Sequence, residues 1–207
     1  MKTTLVLAAV AAGALASPAL AQEPGSSYVQ INLGASVSGD VDLEATSGGT
    51  TFAGEADLET GTFGSIAGGG RLGGGWAPEG EALLLTNDID TAAADAALGT
   101  PLDANVETYA FLANGVYNFD AGSVRPYVGA GVGFGNAKYR LAGESEDDMG
   151  LAWQVKAGVV IPGSQNMSWD IGYRFLSLPS FEISEPGVSV ELDTSAHILS
   201  VGARMAF

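Results

Sequence analysis

Cysteine is absent from the 207 residues, histidine occurs once, and lysine and arginine together number only 8. Without cysteine there are no disulfides, no thiolate nucleophile and no Cys-ligated metal, so whatever stabilises the fold is noncovalent. The shortage of positive charge, set against 24 Asp and Glu and a formal net charge of −16, argues against a nucleic-acid partner, because phosphate backbones are gripped by clustered Lys and Arg. Long hydrophobic runs are missing too. A membrane helix needs about 20 consecutive apolar residues, and no stretch after Ala21 supplies them. Yet 46% of the residues are hydrophobic and only 15% are charged, so the apolar residues must be distributed in some other pattern. No Pro- or Ser-rich linker divides the chain, which points to one domain.

The first 21 residues, MKTTLVLAAVAAGALASPALA, carry Lys2, an apolar run from Leu5 to Ala16 and a small-residue motif at Ala19-Leu20-Ala21. They read as a secretory signal peptide cleaved after Ala21, leaving residues 22–207 as the mature domain. Loss of Lys2 makes that domain more acidic still.

Beyond the leader the dominant period is two. In SYVQINLGASV, Val29, Ile31, Leu33, Ala35 and Val37 alternate with Tyr28, Gln30, Asn32, Gly34 and Ser36, which describes a strand with one apolar and one polar face. The same alternation recurs in AWQVKAGVVI, in SWDIGYRFL and in HILSVGARMAF. Less regular strands fit TFGSIAGGGRLG at 62–73, WAPEGEALLL at 76–85 and ETYAFLANGVYNF at 107–119, and VRPYVGAGVGFG at 124–135 brings the count to eight. The connections alternate in length. They are tight at Gly73-Gly74-Gly75, Asp120 to Ser123 and Pro162 to Asn166, and long near 38–60, 86–105, 141–149 and 177–193. Short turns at one end and long loops at the other describe an up-and-down meander.

The chemistry of the two faces sets the environment. Glycines, serines and a few charges make up the polar side, too small a set for a solvated surface, while Trp, Tyr and Phe stand near strand ends on the apolar side. That pattern fits a lipid-facing band with aromatic girdles. In hydrocarbon an unpaired backbone group costs several kcal/mol, so the sheet must close on itself. The expected fold is therefore all-β, an eight-stranded antiparallel up-and-down transmembrane β-barrel. In VRPYVGAGVGFG, Val128, Ala130, Val132 and Phe134 face lipid, and Gly129, Gly131, Gly133 and Gly135 leave space inside for longer side chains of other strands.

Charge follows the same division. The four long segments hold most of the acidity and no Lys or Arg, including Asp40, Asp42 and Glu44 in the first and Glu144, Glu146, Asp147 and Asp148 in the third. The inward set is nearly balanced, with Arg71, Lys156, Arg174 and Arg204 against Glu79, Glu81 and Asp170. Eight strands enclose an interior just wide enough for side chains to fill, so these ions are expected to form a salt-bridged plug, with Arg71–Glu79 and Asp170–Arg204 as candidate pairs. A gated or low-conductance pore is the alternative use of the same charges.

With LANGVYNF followed by RPYVGAGVGFG, then WDIGYRF and the ending VGARMAF, the sequence resembles the small outer-membrane β-barrel family of Gram-negative bacteria, which includes opacity-type surface antigens and the OmpA-like transmembrane domain. The resemblance implies a place in the outer membrane, a non-enzymatic role in envelope structure and surface interaction, and lipids, lipopolysaccharide, the assembly machinery and an extracellular loop ligand as partners. Phe207, with Met205 two residues before it, is similar to the terminal signal by which that machinery recognises its clients. The resemblance is to the transmembrane domain of OmpA proteins and not to their peptidoglycan-binding domain, so the tethering role of the latter is not expected to carry over.

Other motifs carry less. GGGRLG at Gly68 to Gly73 matches G-x-G-x-x-G, but a strand follows where a dinucleotide site needs a helix. His197 with Ser195 would be the pair of a lipid-modifying hydrolase, although Ser200 lies on the opposite face and a headgroup-level polar residue is the simpler role. The acidic loops lack the glycine and terminal glutamate of an EF-hand, and they are read as solvated segments with at most weak divalent binding. No cofactor and no metal site is expected. A soluble periplasmic barrel of lipocalin type remains as an alternative fold environment.

Overall fold

The alternating segments pair in sequence order. The computed structural model describes residues 27–47, 50–57, 60–88, 104–141, 144–164, 166–178, 181–185 and 188–207. The leader lies outside them. Ten strands are described: β1 (Ser27–Ser47), β2 (Thr50–Asp57), β3 (Gly61–Gly70), β4 (Trp76–Asp88), β5 (Ala104–Asn118), β6 (Arg125–Leu141), β7 (Glu144–Pro162), β8 (Met167–Ser177), β9 (Phe181–Glu185) and β10 (Val188–Ala206). They form one antiparallel sheet in the order β2-β1-β3-β4-β5-β6-β7-β8-β10-β9, and β1 also pairs with β10. That pairing closes eight of them, β1, β3 to β8 and β10, into a barrel. Hydrogen bonds continue the seam to its end, where the Phe207 N–H donates to the Ser27 carbonyl at 2.9 Å.

The wall rises further than expected on the long-loop side. The segments read as loops near 38–60 and 177–193 carry the upper half of β1, all of β2 and β9 and the start of β10, while β7 begins at Glu144 inside the segment near 141–149. A membrane span needs only about 9–11 residues. The ladder with β10 runs on to Ser47↔Val188, past a register shift between Ser36 and Ser38 that skips Val37 and brings Ser38 opposite His197. The acidic composition of these segments suggested loops; backbone pairing, which depends little on side-chain charge, extends the strands into water. The 86–105 segment falls mostly outside the described residues.

At the other end the connections are tight. Gly74 and Gly75 take φ of 73° and 89° in the β3–β4 turn, a left-handed backbone that glycine adopts without steric cost. Three turns are tied by N–H donation from Leu72 to the Trp76 carbonyl, from Phe119 to Pro126 and from Gly163 to Met167.

The phase follows the sequence. On β1, Ile31, Leu33 and Val37 are exposed while Gln30, Asn32 and Ser36 are buried; on β10, Leu199, Val201 and Met205 are exposed while Ser200 and Arg204 are buried. Trp76, Tyr117 and Phe119 pack edge to face near the short turns, with ring centroids 5.2 and 4.9 Å apart, and Trp153, Phe175 and His197 cluster toward the long-loop end. No helix among the described residues is long and apolar enough to cross a membrane. Strands do so here.

One expectation about the interior needs correction. Inward positions are not all polar: Phe63, Leu83, Leu85, Leu112, Leu176 and Ile198 form a buried apolar cluster in the half of the lumen nearer the long loops. The run Leu83-Leu84-Leu85 hides its own phase, because an inward and an outward leucine look alike in sequence. Buried inward positions pack as any core does.

The glycine stripe on β6 has a specific use. A Cβ on Gly129 would lie 3.3 Å from Lys156 Cγ, and one on Gly131 would strike the Asn114 side chain and come within 3.0 Å of the Ala113 carbonyl. We expect Gly131→Leu to lower stability in detergent by about 1–3 kcal/mol, or to block folding, through overpacking. Val132→Leu, one position away on the exposed face, should leave urea unfolding unchanged.

Candidate functional site

The polar centre of the barrel is assembled from two pairs of neighbouring strands, β4 with β5 and β7 with β8, which β6 separates. Glu79 and Glu81 lie two apart on β4 and so share its inner face; Asn114 enters from β5, Gln154 and Lys156 from β7, and Arg174 from β8. β6, which separates β5 from β7, presents Gly129 and Gly131 at this level, so side chains from either side cross over it.

Ion pairs and amide bridges join the group. Lys156 Nζ contacts Glu79 Oε1 and lies 3.4 Å from Glu81 Oε2, and Arg174 Nη1 donates to Glu81 Oε1 at 2.7 Å. Gln154 Nε2 donates to Glu81 Oε2 at 2.8 Å and to Asn114 Oδ1 at 2.9 Å. Asn114 Nδ2 donates to both glutamates, at 3.0 and 3.1 Å, and the Tyr28 hydroxyl donates to Glu79 Oε2 at 2.8 Å. Arg174 also donates to Gln154 Oε1 at 3.2 Å, and its guanidinium lies 4.4 Å above the Phe63 ring, where the charged layer meets the apolar cluster. Each carboxylate therefore has both charge partners and neutral donors, which is what a buried ion pair needs to offset its desolvation.

Nearer the short turns the pattern loosens. Arg204 Nε donates to Gln30 Oε1 at 2.7 Å and stacks 4.2 Å over the Tyr28 ring. Gln30 passes the connection to Asn32 at 2.7 Å, and Asn32 to Ser65 at 2.9 Å. Asp170 accepts from the Tyr127 hydroxyl at 3.2 Å through Oδ1, while its buried Oδ2 has no partner.

The expected pairings need two corrections. Arg71 does not meet Glu79: it lies past the end of β3, in the exposed β3–β4 turn, and Glu79 is taken by Lys156, Asn114 and Tyr28. Asp170 and Arg204 are on paired strands, with Asp170 opposite Gly202, yet no ion pair within 4.0 Å joins them. Gln30 captures the guanidinium and Tyr127 the carboxylate. Adjacent strands gave the neighbourhood of these charges correctly, but the side chains bond across the lumen. Gln30, Asn114, Gln154, Tyr28 and Tyr127 were not singled out from sequence, although each stands in the inward phase of a strand where a long polar side chain has to find a partner.

His197 lies on the outer face, its Nδ1 2.6 Å from the Tyr173 hydroxyl and its ring against Phe175. Ser200 is buried on the opposite face, and no serine among the described residues is hydrogen-bonded to His197. Among the described residues the one hydrogen bond to its ring is with the Tyr173 hydroxyl. Groups of His, Asp and Glu able to hold a metal are also absent among the described residues.

Removing one member of a buried, bonded charge group leaves the others unpaired, at a cost of about 3–5 kcal/mol. Arg174→Ala should therefore lower the denaturant midpoint sharply in detergent micelles. Glu81→Gln combined with Arg174→Gln should cost less than the two single changes added together, and a double-mutant cycle measures that coupling. Arg204→Ala, which strands Gln30, should lower the midpoint by a smaller amount.

Comparison with known proteins agrees with this architecture. A family model described as the outer membrane protein beta-barrel domain matches residues 5–207. No curated protein matches the chain. Among solved structures, Neisserial surface protein A is similar at 21% identity and a TM-score of 0.53, over 87% of this chain and 97% of that one. The outer membrane protease OmpT from Escherichia coli is similar at 8% identity and a TM-score of 0.51, over 92% and 99%. At such identities the likeness is one of fold. Matched over nearly its whole length, and closed by an apolar-faced sheet of eight strands, the chain belongs to the outer membrane protein beta-barrel domain family and resides in the outer membrane.

Proposed function

We propose that the protein is a closed, non-enzymatic barrel that contributes to envelope structure and presents an acidic surface to the outside of the cell. The observation that carries this reading is the layering of the lumen. An apolar cluster seals the half toward the long loops, and beneath it the bonded layer of Glu79, Glu81, Asn114, Gln154, Lys156 and Arg174 spans the cross-section. An ion passing through would have to break several charge-assisted bonds and then cross an apolar constriction. A plug fits this interior better than a pore.

The long-loop end supports the surface role. Above the membrane β2, β1, β10 and β9 continue as a sheet in which the Cα register sets Asp42 opposite both Glu55 and Asp193, and Glu191 opposite both Glu44 and Glu182. A segment so dense in Asp and Glu draws cationic ligands and turns anionic ones away. The lipid-facing Met205 and Phe207 at the seam are suited to the assembly signal that the family resemblance implies.

Planar-bilayer recording of the folded protein, checked first for the gel shift between boiled and unboiled samples, tests the reading. Silence is expected. Discrete, reproducible conductance steps altered by Glu81→Gln would replace the plug with a gated pore. His197→Ala should leave lipid A composition unchanged; altered acylation would instead reveal an enzyme.

A further inference from the structure

The charges of the lumen balance among themselves. Glu79, Glu81 and Asp170 face Lys156, Arg174 and Arg204, all six buried. Arg71 and Arg125 are left over. Both lie at the short-turn mouth, Arg71 just after β3 and Arg125 at the first residue of β6, and with Arg204 they line a cavity of about 520 Å³. That volume is within the roughly 300–1,000 Å³ of small-molecule sites.

No Asp or Glu side chain lines the cavity, which Phe207 also borders, and among the described residues no Asp or Glu forms an ion pair with Arg71 or Arg125. The rest of the lining mixes polar side chains, Ser164, Asn166 and Ser168 from the β7–β8 turn and the start of β8, with the apolar Pro162 and Ala206. Burial, and then the neighbouring Arg125 and Arg204, hold the Arg71 guanidinium below its usual pKa. Three arginines thus line one recess in a chain whose formal net charge is −16. Scattered solvation would place such rare cations apart, whereas an anion with several oxygens would be gripped by their planar forks and would relieve their mutual repulsion.

We propose that the short-turn mouth, which faces the periplasm in this family's orientation, binds a phosphate-class oxyanion between Arg71, Arg125 and Arg204. Two sources carry that chemistry: a free phosphate ester in the periplasm, or the phosphodiester headgroup of an anionic lipid in the adjacent leaflet.

The folded chain in phosphatidylcholine nanodiscs, titrated calorimetrically with glycerol 3-phosphate, tests the first source. Nanodiscs with increasing phosphatidylglycerol, read by the thermal unfolding midpoint, test the second. Saturable heat in the first titration assigns the free ester; a saturable rise of the midpoint in the second alone assigns the lipid. In either case Arg71→Gln and Arg125→Gln should weaken the response by about tenfold each, the scale of one charge-assisted hydrogen bond. Lys138→Gln, at the far end of the barrel, removes the same charge and should leave it unchanged. Should a glutamine variant lose its gel shift, the lysine variant at that position keeps the charge but not the fork and should weaken binding in the same direction. No response in either format, or one that the Arg71→Gln/Arg125→Gln double variant retains in full, overturns the proposal.

Discussion

Everything in this molecule depends on the obligation of the peptide backbone to pair its own N–H and C=O groups where no water can reach them. In hydrocarbon each unmet group costs several kcal/mol, so a sheet crosses the membrane only as a closed cylinder. The β1–β10 ladder discharges that obligation, from Tyr28↔Ala206 at one end up to Ser47↔Val188 at the other, and without it two edges would face lipid. Closure also explains the tolerance for rare residues. Pro78, Pro126 and Pro162 stand within three residues of a strand end at the short-turn side, where a missing donor disturbs the ladder least.

Closing eight strands creates a second constraint, because the enclosed lumen is narrow. Long side chains must share it, and the glycines of β6 make that possible by leaving one sector of wall bare. Lys156 reaches Glu79 and Gln154 reaches Glu81 across the space those glycines vacate. The buried ions are in turn acceptable only because Asn114, Gln154 and Tyr28 satisfy the lone pairs that charge pairing leaves over. Packing and electrostatics are one problem here, solved at one level of the barrel.

The two ends differ in kind. Toward the long loops the wall rises as paired strands with acid set opposite acid in register, and the lumen below holds the apolar cluster that includes Phe63, Leu85 and Ile198. Toward the short turns the lumen opens into a recess lined by arginine. A strongly acidic chain has thus separated its charge by face and by end.

The period-two alternation, the tight turns at Gly73-Gly74-Gly75 and Asp120 to Ser123, and the absence of Lys and Arg from the four long segments were enough to derive a closed, lipid-facing barrel of eight strands, because alternation and turn length are local consequences of strands with one face in hydrocarbon. Those same signals named Glu79, Glu81, Lys156, Asp170, Arg174 and Arg204 as inward. They did not say which would bond to which. Arg71 was placed beside Glu79 by proximity along the chain, yet a turn carried it to the mouth, and Asp170 and Arg204 stand on paired strands but bond elsewhere. Partners in the lumen come from β4, β5, β7 and β8 at matching depth, and that depth follows from strand register and tilt around the whole cylinder. Alternation determines which way a side chain points; only closure of the barrel decides what it meets.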